Sequence, residues 1–259
     1  LEVVTAWALS APDGPAASPL EVARIAQYAE NNHVGMMCGL MDQFASACGV
    51  AHSALLFDCR STEWRPVPLP PELALVVIHS GVSHGLVDGE YNLRRAACER
   101  VVARVAQDDP AVSLLRDIDM DRLLAYRDQL DPVDFQRAYH VLTENERVLA
   151  AVVALEAGDL AALGALMAGS QASMRDDYAI TCPEIDALVE IAVAVPGVIG
   201  SRMTGGGFGG CTISVVEHAA AERLCEAVER EYPGRTGCTP RIWTVTATDG
   251  AGFVQDREV

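Results

Sequence analysis

The spacing of apolar positions changes several times along the chain and divides it into segments. Residues 1–10, LEVVTAWALS, carry apolar side chains on several faces with no capping signal in front, so they read as the interior of a helix. APDGPAASP (11–19) is a turn-rich break. Ser18-Pro19-Leu20-Glu21 then supplies a serine N-cap, proline at the first helical position and glutamate at N3. This capping box opens a helix through about Glu30. MDQFASACG predicts a short helix beginning near Asp42. SALLFDCRS and WRPVPLP alternate or run apolar in the manner of strands, with prolines ending the second.

ELALVVIHSGV (72–82) is a β-prone run that predicts a central strand. A long helix is predicted from about Asn92 to Gln107, with Leu93, Ala97, Val101 and Val105 four residues apart. Residues 111 to 194 read as mostly helical. GSRMTGGGFGG then leads into the strand CTISVV, a helix from about Ala219 to Tyr232 and a last strand, RIWTVTAT. The fold class is α+β. The β-α…β-α-β order predicts a ferredoxin-like split βαβ sheet with a helical insertion. Residues 1–70 form one part-domain and residues 71–259 a second domain on this reading.

The 259 residues suffice for one large domain or two smaller ones, and half of them are hydrophobic. A net charge of −17 argues against sequence-independent binding to nucleic acid or an anionic membrane, since both need a basic footprint. No apolar run reaches membrane-spanning length, and LEVVTAWAL lacks the basic flank of a signal peptide. Eight cysteines (38, 48, 59, 98, 182, 211, 225, 238) form no C-x-x-C pair and have no histidine at zinc-ligand spacing. They predict buried free thiols in a reducing cytoplasm.

Within this frame a few residues stand out. Asp42 is a lone carboxylate in the apolar stretch GLMDQFAS; it is either a carboxylate meeting the positive end of a helix dipole or a catalytic base. Five glycines in TGGGFGG (204–210) carry a heavy entropic cost. They form either a hairpin or an anion nest where backbone approaches a ligand, and they match neither a Walker loop nor a Rossmann turn. Glu30, at a helix C-terminus, is either a solvated end or a hard-cation ligand. Tyr91 reads as a packing tyrosine near a helix start. Arg94 and Arg95 beside it hint at an anionic neighbour, with a solvated face the plainer reading. His79 and His84 lack a supporting carboxylate cluster, and SMRDDY (173–178) reads as surface ion pairs.

Together, CGLMDQFAS (38–46), FDCRS (57–61), EYNLRRAACE (90–99), SMRDDYAITCPEIDALVEIA (173–192) and MTGGGFGGCTIS (203–214) resemble the galactokinases, sugar kinases of the GHMP superfamily. The resemblance runs essentially end to end and implies a two-domain GHMP kinase architecture. It implies that Asp42 accepts the proton of the sugar hydroxyl and that Tyr91 contacts galactose. It also implies that Glu30 binds Mg²⁺ and that Gly205, Gly206, Gly207, Gly209 and Gly210 lie beside the sugar and phosphates. The implied reaction converts galactose and ATP to galactose 1-phosphate and ADP in a cytoplasmic monomer.

The family's Gly-Glu-His-Thr-Asp sugar motif, its preceding arginine and its Gly-Leu-Ser-Ser-Ser-Ala phosphate loop are absent from these residues. LEVVTAWALS resembles the helix that comes directly after that loop. The expectation is therefore a chain that begins just after it and is inactive alone. Two alternatives stay open: another GHMP sugar kinase, acting on N-acetylgalactosamine or arabinose, and a galactokinase-like sensor that binds without turnover.

Overall fold

The computed structural model describes residues 1–10, 17–35, 38–83 and 87–252. They fall into two compact units: Leu1–Pro71 together with the stretch from Thr246 onward, and Glu72–Val245.

Unit 1 contains α1 (Glu2–Ser10), α2 (Pro19–Ala29), a π turn (Glu30–Val34) and α3 (Met41–Cys48). A hairpin of β1 (Ser53–Phe57) and β2 (Trp64–Pro68) comes next. The capping box is present: Ser18 N donates to Glu21 Oε2 at 2.7 Å, and Glu21 N donates to Ser18 Oγ at 3.3 Å. Val22, Ala23 and Ala26 form the buried stripe of α2 and pack with Val3 of α1 and with Phe44, Ala47 and Cys48 of α3. The Phe44 ring stacks on Phe57 at 4.0 Å and meets the edge of Trp64 at 5.5 Å, which closes the hairpin onto α3.

Residues 246–252 also belong to this unit. His52 N donates to Ala247 O at 2.9 Å, Gly250 N to Gly49 O at 2.9 Å and Ala251 N to Ser46 O at 2.8 Å. The sequence pattern runs RIWTVTAT on as one strand within 71–259. The strand stops at Val245 instead, and residues 246–252 bond to the 46–52 region of unit 1.

Unit 2 is built on β3 (Leu73–Ser83), which pairs antiparallel with β5 (Gly209–Glu217) on one side and β6 (Arg241–Val245) on the other. β4 (Val198–Thr204) pairs antiparallel with β5, giving the sheet order β4-β5-β3-β6. This is the split βαβ, ferredoxin-like arrangement. The helical insertion comprises α4 (Val87–Ala106), α5 (Met120–Ala125), α6 (Pro132–Ala157), α7 (Leu160–Asp176) and α8 (Pro183–Val193), with α9 (Ala221–Thr236) between β5 and β6. Ala74, Val76 and Ile78 of β3 bury against Leu188 and Ile191 of α8 and Leu224 and Val228 of α9. Each of these valine, leucine and isoleucine side chains contributes roughly 1.5–3 kcal/mol. Ile199 and Val215 meet Leu163 and Met167 of α7.

Two boundaries differ from the sequence pattern. α4 begins at Val87 rather than near Asn92: Gly89 and Asn92 are poor helix formers, but Glu90 and Arg94, one turn apart, form an ion pair within this first stretch. α9 runs past Tyr232 and Pro233 to Thr236. Tyr232 is fully buried and donates its hydroxyl to Ser80 O at 2.8 Å, and this anchoring overrides the local preference against helix before proline. The cysteines are free, as their spacing predicts, but only Cys48 is buried; Cys59 is exposed and the others are half-buried.

Gly164 marks the closest approach of α7 to β4, since a Cβ there would lie 2.3 Å from Ile199 O. Alanine would favour the helix by about 1 kcal/mol, but the clash with fixed backbone outweighs that gain. Gly164→Ala is expected to destabilise the protein by about 1–3 kcal/mol. A urea midpoint that rises instead would show that α7 can shift freely away from the strand.

Candidate active site

In unit 1 the candidate residues lie where α2 gives way to α3. The π turn places Glu30 and Asn31 at the end of α2, and such turns are frequent at functional sites. Asn31 Oδ1 accepts from Cys38 N at 3.0 Å and from Cys38 Sγ at 3.4 Å, while Gln27 Nε2 donates to Cys38 O at 3.2 Å. Gln43, in the first turns of α3, donates from Nε2 to Glu30 Oε2 at 2.5 Å. Burial, and after it the hydrogen bond with Glu30, pushes the Cys38 thiol up, so it stays protonated and able to donate.

Asp42 occupies the first turn of α3 and is exposed. Among the described residues no hydrogen bond or ion pair holds its carboxylate. Glu30 also borders a cavity of about 560 Å³ beside α1, whose walls include Thr5, Leu9, Ile25 and His33. Mg²⁺ takes one or two carboxylates and fills its shell with phosphate oxygens and water. Among the described residues no three His, Cys, Asp or Glu side chains gather. Glu30 accepts from Gln43 on Oε2 and shares the cavity wall with the Glu2 carboxylate, so the residues present fit an ion that takes one or two protein carboxylates.

In unit 2, residues 205–208 form the turn of the β4–β5 hairpin. Gly205, Gly207, Gly209 and Gly210 all have positive φ. Gly207 is required twice over, because its φ is +93° and a Cβ would meet Ile180 Cβ and O at 2.7 Å. Phe208 N donates to Ile180 O at 2.6 Å, which fixes the loop to the segment after α7.

Arg94 supports that segment. It is 9% exposed, donates from Nε to Tyr178 O at 3.3 Å and from Nη2 to Ala179 O at 2.8 Å, and packs over the Phe208 ring. The sequence left Arg94 on a solvated face; the structure buries it. The signal was the Arg94-Arg95 pair in the first half of a helix. Arg95 is exposed and pairs with Glu99. Tyr91 lies on α4, but its side chain falls outside the described residues, as does His84. His79 Nδ1 accepts from Gly81 N at 2.9 Å.

SMRDDY is only partly a surface pairing. Arg175 and Asp176 pair in the open, whereas Ser173 and Met174 are buried. Ser173 Oγ donates to Asp177 Oδ2 at 2.7 Å and lies 3.0 Å from Nδ1 of His140, whose ring stacks on Tyr178 at 4.3 Å. Nothing local in the sequence marks His140 or Gln43, because both depend on side chains brought from other segments.

The family of GHMP kinases C terminal matches residues 151–234, which run from the end of α6 to the end of α9. The fold is shared with Leishmania major mevalonate kinase in complex with R-mevalonate, at 18% identity and a TM-score of 0.56 over 91% of this chain and 60% of that one. More specifically, the chain is similar to galactokinases. It is 45% identical over 236 residues to the galactokinase of Roseiflexus sp. (strain RS-1), covering 91% of this chain and 60% of the relative. It is 46% identical over 232 residues to that of Chloroflexus aurantiacus, covering 90% and 59%. The Lactococcus lactis galactokinase complexed with galactose superposes with a TM-score of 0.90 at 30% identity, over 96% of this chain and 64% of that one. The chain thus spans about three-fifths of the length of the curated relatives it matches.

This geometry carries two testable outcomes. Gly207→Ala meets both backbone strain and a clash, whereas Gly205→Ala meets strain alone, with nothing within 4 Å of its Cβ. Chemical denaturation should show the first losing at least about 1 kcal/mol more than the second; equal losses would mean that the contact with Ile180 yields.

His140 is 7% exposed, and burial depresses its pKa from 6.5 to about 4. The unfolded chain therefore takes up the proton first as pH falls. Stability is full above pH 6.5 and declines towards pH 4, by as much as about 3 kcal/mol. His140→Gln should flatten the pH dependence of unfolding free energy in that window, and an unchanged slope would refute the assignment.

Proposed function

We propose that the protein carrying this chain transfers the γ-phosphoryl group of ATP to the anomeric hydroxyl of galactose, giving galactose 1-phosphate and ADP in the Leloir-type metabolism of galactose. The observation that carries this reading is the near-complete match of the chain to galactokinases, including one solved with galactose, with Asp42 exposed in the first turn of its helix.

Phosphoryl transfer depends on positioning and charge neutralisation more than on covalent chemistry. The sugar oxygen forms a bond to phosphorus as the bond to ADP breaks, and the hydroxyl proton passes to the Asp42 carboxylate. Tyr91 contacts the sugar. The backbone of Gly205–Gly210, with its run of positive φ angles, offers N–H groups beside the sugar and phosphates. Glu30 would hold Mg²⁺, which when bound neutralises phosphate charge; in a chain of net charge −17 that neutralisation is needed for ATP to bind. The resemblance implies a monomer working in the cytoplasm, and the free cysteines fit a reducing compartment.

The test is galactose-dependent ADP release by the native polypeptide that carries these residues, compared with its Asp42→Asn variant and with residues 1–259 alone. The native protein should turn over. Asp42→Asn should lower kcat by roughly 10²–10⁴, and residues 1–259 alone should release nothing, since the serine loop is not among them. Turnover of N-acetylgalactosamine or arabinose in place of galactose would reassign the substrate. Galactose binding without turnover would make the protein a sensor, and full activity of Asp42→Asn would remove Asp42 from the chemistry.

A further inference from the structure

Gln43 is the next residue after Asp42 on α3 but turns inward: it is 5% exposed where Asp42 is open to solvent. Its Nε2 donates to Glu30 Oε2 at 2.5 Å and reaches Cys38 Sγ at 3.5 Å. Its Oε1 is equally enclosed and has no hydrogen-bond partner among the described residues. Most buried polar atoms are paired, and an orphaned acceptor is destabilising. Turning the amide over would not relieve this. An acceptor oxygen would then face the acceptor oxygen of the Glu30 carboxylate. The amide orientation is therefore dictated by Glu30, and the unpartnered oxygen is the consequence of keeping an N–H donor on that carboxylate.

Resting on the reading of Glu30 as the Mg²⁺ ligand, we propose that Gln43 is a positioning residue for the cation. Its amide fixes Glu30 Oε2, so that the carboxylate presents Oε1 in one orientation. α3 then carries the base on its open side and the support of the metal carboxylate on its buried side, one residue apart. Partners that orient a metal ligand in this way typically change metal affinity by 10–100-fold when removed. A glutamine suits the task because it brings a donor without a charge, and a second carboxylate at this place would repel Glu30.

The experiment uses the native polypeptide carrying these residues, with Gln43→Leu made alone and in a Glu30→Gln background. Gln43→Leu should raise the Mg²⁺ concentration for half-maximal galactose phosphorylation by roughly 10–100-fold, with the KM for galactose within about twofold. Mn²⁺ binding in the presence of a non-hydrolysable ATP analogue, monitored by electron paramagnetic resonance, should weaken by the same factor. In the Glu30→Gln background the second change should add nothing, because Gln43 acts through Glu30. Should Gln43→Leu fail to fold, Gln43→Met, which keeps the length of the side chain, carries the same comparison.

A loss of kcat that persists at saturating Mg²⁺ and is equally large without Glu30 would overturn the inference and leave Gln43 a purely structural tie. An Mg²⁺ dependence and Mn²⁺ affinity identical to the parent's would also overturn it. A parent protein that phosphorylates no sugar would sink the functional reading instead, so the two failures are distinguishable.

Discussion

Unit 2 depends on the pairing of β3 along both of its edges. A central antiparallel strand satisfies its backbone groups only if both neighbours hold register, and a slip of one residue would turn every side chain to the wrong face. Val76 and Ile78 are fully buried towards α8 and α9, so that register is strongly specified. Tyr232 reinforces it from α9 by donating to Ser80 O. Because β5 is one of the two partners, the same pairing fixes where the β4–β5 hairpin ends and thus where the glycine-rich turn stands. Its strained backbone is held by a sheet whose other contacts determine its position.

The two candidate regions share a design. In each, a residue with chemical promise is exposed or strained while its neighbour is buried and hydrogen-bonded. The glycine turn has Arg94, which holds the carbonyls of Tyr178 and Ala179 beneath Phe208. Glu30 has Gln43 and the Cys38–Asn31 clasp. A flexible side chain or loop reaches a single geometry only when its supporting groups cannot move, and packed polar networks supply that rigidity.

Much of this could be read in the sequence. The capping box at Ser18, the strand at ELALVVIHSGV, the helical insertion and the hairpin around TGGGFGG are local signals, and the structure agrees with them. The resemblance to galactokinases, carried by CGLMDQFAS and MTGGGFGG, pointed to the family that the comparisons support. The hidden part is non-local. Arg94 became buried because residues 84 and 85 positions further on supply its acceptors. His140 shares its hydrogen bond with a serine 33 positions away. α9 gained its last turn from the tertiary anchoring of Tyr232 on Ser80, which outweighs the weak local propensity.

The hydrogen bond from Ala51 N to Asp249 Oδ1 joins residues 198 positions apart. Unit 1 is therefore discontinuous: its helices and hairpin precede unit 2 in the chain, but the stretch that lies against Ser46, Gly49 and His52 leaves the ribosome only after all of unit 2. Unit 2, contiguous from Glu72 to Val245, can close as soon as it has emerged. The order of synthesis is thus inverted in the order of completion. The part of the chain that carries Glu30 and Asp42 waits longer for its final contacts, so a polypeptide cut short after Val245 would retain unit 2 in full and leave unit 1 unfinished.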